Sequence, residues 1–353
     1  MFLKNAWYVA AWDTEVGTGQ LLARRLLGTD VLLYRGENGK IVALQDRCCH
    51  RLAPLSHGQI EGNCVRCMYH GLVFDPSGSC VEIPGQDRIS PKSRVRSFQV
   101  AEVDHLIWIW MGEPERADER NIPDTHWHDC EGWSAERGNY SRFRANFLLI
   151  ADNLLDFSHL AFVHNKSIGS RKQGSVKPSV EYGEEIIYVR FMTPDSPPPP
   201  FAKQLSQLPS TVDRFNYYSW RIRSNYFAQD SVIAPVGEGY ESQSDLTMKL
   251  HTFIALTPET ENSTHYFWST SHNHFTSSVE DITIQLTRQV AQAFEEDRAI
   301  IELQQCTLER EPQAEMVAIA ADATLLRARR MLDELVLTDA RTAEDLVANG
   351  ATR

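Results

Sequence analysis

Apolar and polar positions change rhythm along this chain. Over residues 1–115 the apolar runs are short and broken by turn signals. Val31–Tyr34 and Ile41–Leu44 flank Gly36-Glu37-Asn38-Gly39, which predicts a β-hairpin. Pro76-Ser77-Gly78 predicts another turn, followed by the strand-like Cys80-Val81-Glu82-Ile83. Leu106–Trp110 is apolar at every position and predicts a strand buried on both faces. No long helical period occurs in this part.

Gly112–Trp133 is rich in Glu, Asp, Arg, Pro and His and reads as a linker. Beyond it, Asn139–Phe147 alternates like a strand and Leu148–His159 reads as a helix. Pro194–Pro200 ends in four prolines, which predicts an irregular or extended loop. Phe215–Phe227, Leu246–Leu256 and His265–Thr270 read as strands, and Val279–Cys306 as a long amphipathic helix. Asp322–Val336 reads as a second helix, with Leu325, Ala328, Leu332 and Leu335 on one stripe and Asp322 as N-cap. The prediction is an α+β chain of two domains: an all-β domain over 1–118, then 119–353 with an antiparallel sheet and helices.

Composition narrows the function classes. No apolar run in the 353 residues approaches the roughly 18 needed to span a membrane. The start lacks the basic and apolar regions of a signal peptide, so a cytoplasmic protein is expected. The net charge of −12 and the lack of a basic stripe argue against nucleic acid as a partner. Of seven cysteines, four fall between Cys48 and Cys67. In a chain of this kind such crowding points to metal or catalysis rather than disulfides.

Cys48-Cys49-His50 is followed, after sixteen residues, by Cys67-Met68-Tyr69-His70. Each half brings a thiolate and an imidazole together at a loop tip. Two thiolates can hold one iron of a [2Fe–2S] cluster and two imidazoles the other. A zinc finger would group its ligands as C-x-x-C and then H-x-x-x-H. The remaining cysteines, Cys49, Cys64, Cys80, Cys130 and Cys306, read as bystanders, the last four as small hydrophobes packed in the interior. Cys48–Leu55 and Cys67–Asp75 resemble the Rieske motif of the Rieske non-haem iron oxygenases. Respiratory Rieske proteins carry an extra cysteine in each loop. The matching positions here are Ala53 and Tyr69, so the resemblance is to the oxygenase branch.

A second constellation lies in Asp152–His164. On an ideal helix Asp152, Asp156 and His159 share one face, whereas His164 sits about 140° from His159. For both histidines to reach one metal, the helix must end or bulge between them. Taken alone, the pair also reads as two partly buried histidines on a core helix. The resemblance implies more: a mononuclear Fe(II) held by His159, His164 and one distant carboxylate, the facial triad that leaves positions open for O₂. The family's third-ligand motif resembles Phe294-Glu295-Glu296-Asp297-Arg298 and matches the ligand to Asp297, with Glu295 and Glu296 as competitors. It also implies that Asp156 bridges an iron-ligating histidine to a Rieske histidine of a neighbouring subunit, and that Asn153 lies near the iron. Asp152 reads as a helix-start acid or a support for the ligands.

Asn5–Ala11, Leu106–Trp110 and Leu256–Glu261 extend the resemblance, which is nearest to the vanillate O-demethylase, dicamba O-demethylase and toluenesulfonate methyl-monooxygenase branch. The implied protein is a homotrimeric terminal oxygenase. Electrons pass from NADH through a flavin and iron–sulfur reductase, or a ferredoxin, to the cluster, and a methyl or methoxy group of an aromatic acid is hydroxylated or removed. A cis-dihydroxylating dioxygenase shares both metal sites, and a non-catalytic Rieske electron carrier shares the first. For the substrate, His251, Tyr266 and Trp268 are candidate pocket residues, with core packing the competing role for Tyr266 and Trp268. Arg221 and Arg223 are candidates for a carboxylate or sulfonate, or simply a solvated face. Arg47 and Arg51 could steer an acidic redox partner.

Overall fold

The structure, a computed structural model, describes residues 2–164, 177–274 and 279–350. It divides into two compact units, one of Phe2–Asp124 with Thr257–Thr260, the other of Thr125–Leu256 and the residues from Glu261 on.

The first unit is all β. Its strands are β1 (Trp7–Trp12), β2 (Leu21–Leu26), β3 (Thr29–Arg35), β4 (Ile41–Gln45), β5 (Gln59–Glu61), β6 (Cys64–Arg66), β7 (Val73–Phe74), β8 (Cys80–Glu82), β9 (Ser97–Val103) and β10 (Leu106–Trp110). Six form an antiparallel sheet in the order β1-β10-β9-β4-β3-β2, and β5 to β8 form a small meander. The predicted hairpin is β3–β4, closed through Gly39 at φ 76°. Strand alternation builds two cores. Val31 and Leu33 of β3 join Tyr8, Ile107 and Ile109 in one cluster. Leu32 and Tyr34 join Val65, Phe74, Cys48 and Cys67 in the other. Every residue of β10 is buried, as the unbroken apolar run predicted.

The second unit carries β11 (Trp133–Ala135), β12 (Asn139–Phe143), α1 (Phe147–Leu155), β13 (Ser179–Tyr182), β14 (Ile186–Ser196), α2 (Pro200–Leu205), β15 (Val212–Arg221), β16 (Tyr226–Pro235), all but the last four residues of β17 (Met248–Thr260), β18 (Ser263–Asn273), α3 (Val279–Arg310) and α4 (Ala323–Gly350). Its sheet runs β11-β18-β17-β16-β15-β14-β13, with β12 also paired to β18. Phe201 and Leu205 of α2 and Leu286 of α3 pack on Val212, Ile233 and Leu250 of the sheet. This is the predicted α+β organisation, antiparallel sheet and helices included.

Four local expectations are corrected. The stretch Phe215–Phe227 is not one strand but parts of β15 and β16. They are joined by a turn that uses neither Gly nor Pro and puts Asn225 at φ 48°. The proline run is not all loop. Strand β14 reaches Ser196, and Pro200 opens α2, where its missing N–H costs nothing. Cys306 is exposed on α3 rather than packed. The helix read as Leu148–His159 stops at Leu155. No helix among the described residues is long and apolar enough to cross a membrane.

Candidate active site

The two Rieske-like loops share one backbone construction. Cys48 N–H donates to Ala53 O (2.7 Å) and Leu52 N–H returns to Cys48 O (3.0 Å). Cys67 N–H donates to Leu72 O (2.8 Å) and Gly71 N–H returns to Cys67 O (3.0 Å). The fourth residue after each cysteine has positive φ: 58° at Leu52 and 76° at Gly71. These crossed bonds fold each loop tightly around its cysteine. Cys48 and Cys67 are buried, and His50 and His70 are exposed, their ring centres 4.5 Å apart. Burial pushes the Cys48 thiol up to about 11. The arrangement has an inner sulfur side and an outer imidazole side, which fits a cluster with two unlike irons. Cys49 stays half-buried beside this pair. Leu52, Met68 and Tyr69 form an exposed apolar rim, and Arg47 and Arg51 are exposed as well.

The second site is assembled from distant segments. Asn146 caps α1 by accepting from Leu148 N–H. The helix ends because Asp156 takes an extended conformation (φ −95°, ψ 115°) and its carboxylate accepts from Ser158 N–H at 2.7 Å. Local side-chain bonding of this type competes with helix continuation. His159 then lies in a separate short turn, His159–Ala161, and His164 follows it. The single helical face for Asp152, Asp156 and His159 therefore does not form. The helix does end, but before His159 rather than between the two histidines, so neither His159 nor His164 lies on α1.

His159, His164 and Asp297 bring their ligand atoms within 4.8 Å of one another and could hold a metal ion. His164 Nε2 is 3.1 Å, and His159 Nε2 3.6 Å, from Asp297 Oδ1. Among the competing carboxylates, Glu296 takes the outer nitrogen, accepting from His164 Nδ1–H at 2.8 Å, and Glu295 pairs with Arg298. Asn153 Nδ2–H donates to Asp297 Oδ1 at 3.0 Å. Burial pulls the His159 pKa down. His164 is also desolvated, but Asp297 and Glu296 outweigh that and hold it up. A donor set of two imidazoles and one carboxylate fits ferrous iron. Asp152 pairs with Arg329 of α4, away from the triad.

A cavity of about 520 Å³ opens beside the triad, lined by Asn153, Asp156, His159, His164 and Asp297 together with apolar residues. A second, of about 740 Å³, shares Leu160, Tyr218, Gln229, Thr252 and Phe294 with it. Both combine apolar walls with a few polar groups, the lining expected of a small-molecule site. The three candidate substrate residues are not among those lining either cavity. Thr252 faces inward, and His251 alternates to the opposite face, stacked on Trp127 with Nδ1 2.7 Å from Asp230. Tyr266 and Trp268 pack edge-on against Phe294, which itself lines both cavities. Arg223 is paired with Glu185 and Asp339, and Arg221 is exposed. The cation in the second cavity is Arg214, which the sequence reading missed. The signal was there, in the inward alternation of Val212, Arg214 and Asn216 on β15, but a strand taken from Phe215 starts three residues late and leaves Arg214 outside it.

The comparisons with known proteins cover both sites. Residues 6–99 match the Rieske [2Fe-2S] domain, and residues 143–338 match the vanillate O-demethylase oxygenase C-terminal domain. The chain is 43% identical over 344 residues to the iron–sulfur subunit of the toluene-4-sulfonate monooxygenase system of Comamonas testosteroni, covering 95% of this chain and 97% of the relative. It is 36% identical over 305 residues to the oxygenase component of dicamba O-demethylase from Stenotrophomonas maltophilia, covering 85% and 87%. The crystal structure of dicamba monooxygenase with non-haem iron and dicamba matches at a TM-score of 0.81 and 31% identity, covering 97% of this chain and 99% of that one.

Proposed function

The chain belongs to the Rieske non-haem iron oxygenases whose catalytic domain is of the vanillate O-demethylase type, and on that premise we propose the reaction it performs. It is the oxygenase component of a multicomponent monooxygenase that acts on the methyl or methoxy group of an aromatic acid. The observation that carries this is the convergence of His159, His164 and Asp297 beside a largely apolar cavity. One relative is named for a methyl-bearing aryl sulfonate and another for O-demethylation.

When bound, the [2Fe–2S] cluster supplies electrons and the ferrous ion supplies the site for O₂, the cosubstrate. We assign Cys48, Cys67, His50 and His70 to the cluster, and His159, His164 and Asp297 to the iron. Glu296 directs the Nε2 atom of His164 toward a metal by accepting a hydrogen bond from its Nδ1–H. Asn153 fixes the Asp297 carboxylate. Phe157, Leu160 and Phe294 wall the cavity against water. The balance is one methyl group, O₂, two electrons and two protons to one hydroxymethyl group and water. On oxygen or nitrogen the hydroxymethyl collapses and releases formaldehyde.

The electrons come from NADH through a flavin and iron–sulfur reductase or a ferredoxin. The cluster domain occupies 1–118 and the catalytic domain 119–353. The working assembly is a closed homotrimer, with Asp156 of one subunit receiving His70 of the next. Cytoplasmic residence suits Cys49, Cys64, Cys80, Cys130 and Cys306, which are free thiols outside the proposed cluster ligands. The test is iron-loaded protein with NADH, a surrogate reductase and a panel of methyl-, methoxy- and N-methyl-bearing aromatic acids under labelled O₂. We expect formaldehyde or a hydroxymethyl product carrying one labelled oxygen. A ring diol with two labels would replace this function by dioxygenation. A cluster that reduces while the panel gives neither O₂ uptake nor product would make the protein an electron carrier.

A further inference from the structure

Arg214 stands out among the buried charges. It projects from β15 into the second cavity and is only 6% exposed. Its Nη1 is buried with no hydrogen-bond partner, and no carboxylate pairs with it among the described residues. The acid next to it in sequence, Asp213, is committed elsewhere, accepting from the backbone N–H groups of Asp195 and Gly237. Burial pulls the guanidinium down to about 10, which leaves it charged at neutral pH.

A second orphan donor faces the same cavity. Gln229 donates to Ser231, and Ser231 Oγ–H donates to Asn216 Oδ1 at 3.0 Å. That chain fixes the Asn216 amide with Nδ2 as its remaining donor, and Nδ2 is buried without a partner. Buried polar groups are ordinarily satisfied, and a buried unpaired cation is destabilising. Two unsatisfied donors, one of them charged, lining one cavity describe the complement of an oxyanion.

We propose that Arg214 and Asn216 form the subsite that holds the anionic group of the substrate, an aryl carboxylate or sulfonate. Leu160, Tyr218, Gln229, Thr252 and Phe294 line both cavities, so one hollow leads from this subsite to the metal triad. The ring lies between Tyr218 and Phe294, and its methyl or methoxy end is directed to His159, His164 and Asp297. Arg214 is thus a specificity-determining residue that selects aromatic acids over neutral arenes. The assignment rests on the oxygenase function proposed above for what happens at the far end, but anion binding is measurable without turnover.

The test is calorimetric titration of the iron-loaded, unreduced protein with 4-toluenesulfonate, 4-methylbenzoate and the neutral 4-toluenesulfonamide. The wild type should prefer at least one anion over the sulfonamide by about 10-fold or more. The sulfonate and carboxylate arms show which oxyanion the subsite favours. Arg214→Met should weaken anion binding by about 10- to 100-fold and leave the sulfonamide within about 2-fold. Arg214→Lys should retain part of the preference. Ligand-free Arg214→Met should melt no lower than wild type, since it removes an unpaired buried charge. Equal binding of anions and sulfonamide by the wild type, no binding of any of the three, or unchanged anion binding in Arg214→Met would overturn the subsite. If Arg214→Met does not fold, the wild-type preference and Arg214→Lys decide. A protein that binds anions through Arg214 yet consumes no O₂ with any methyl arene would refute the oxygenase function and leave the subsite standing.

Discussion

The two candidate metal sites are built in opposite ways. The Rieske loops take all four candidate ligands from twenty-three consecutive residues, Cys48–His70, and hold each cysteine with hydrogen bonds inside its own loop. Their histidines are exposed. The triad takes two candidate ligands from the chain just beyond α1 and the third from α3, with His164 and Asp297 only 1% and 7% exposed. Its order depends on long-range packing: Asn153 and Glu296 reach the ligands from α1 and α3. A local loop can form around its cofactor with little help. A site assembled across 139 residues is only as precise as the helices that carry it.

The largest expected effect is on the assembled site. Asp297→Ala should lose the mononuclear iron and all measurable turnover while the visible spectrum of the cluster stays intact. His159→Ala should behave alike. Glu296→Ala, which removes only the partner of His164 Nδ1, should cost about 10- to 100-fold in turnover or iron affinity. Iron analysis and O₂ uptake on the purified variants check both. Full activity in Asp297→Ala with loss in Glu296→Ala would move the third ligand by one residue and undo the contrast between ligand and support.

What could be read in the sequence follows the same division. The Rieske motif, the β3–β4 hairpin and the buried β10 are local patterns, and each was legible. The end of α1 was not, because an aspartate in a helical period reads as one more polar position. Only the structure shows the Asp156 side chain turned back on Ser158 N–H. The β15–β16 turn was hidden for a similar reason: Asn225 adopts positive φ without a glycine to announce it. Arg214 escaped because it precedes Phe215, where the strand pattern becomes clear, and its burial depends on packing by α3, β16 and β17. His251, Tyr266 and Trp268 show the converse. Aromatic and imidazole groups mark a pocket and a packed core equally well, and alternation puts His251 on the far face.

The next effect joins the two sites. Asp156 lines the triad cavity, and half of its carboxylate is occupied by Ser158 N–H. If its other oxygen receives a Rieske histidine from a neighbouring subunit, Asp156→Asn should keep both metals and slow turnover on the order of 100-fold, since it weakens a charge-assisted bond. Mixing Cys48→Ala subunits, which lack a cluster, with Asp156→Asn subunits should restore partial activity that neither has alone. Sedimentation should show trimers throughout. An active monomer, or mixed oligomers with no recovery, would sever the link and leave two independent sites.

The smallest effect concerns the loops themselves. Leu52 and Gly71 occupy equivalent places, four residues after each cysteine, and both have left-handed φ. At Gly71 that conformation coincides with crowding, because an added Cβ would sit 2.7 Å from Pro84 Cγ. Gly71→Ala should therefore destabilise the Rieske unit by about 1–3 kcal/mol and loosen the cluster. Leu52 bears the same backbone strain with a side chain that is 64% exposed and packs little. Leu52→Gly removes the strain, which costs an L-residue about 1–2 kcal/mol, and adds back some unfolded-chain entropy. The expected net change is a gain of up to about 1 kcal/mol, read from urea unfolding monitored by loss of cluster absorbance. Opposite signs for the two variants would establish that the loops share one backbone device. A loss in Leu52→Gly as large as that in Gly71→Ala would mean that the Leu52 side chain, and not its φ angle, holds the first loop in place.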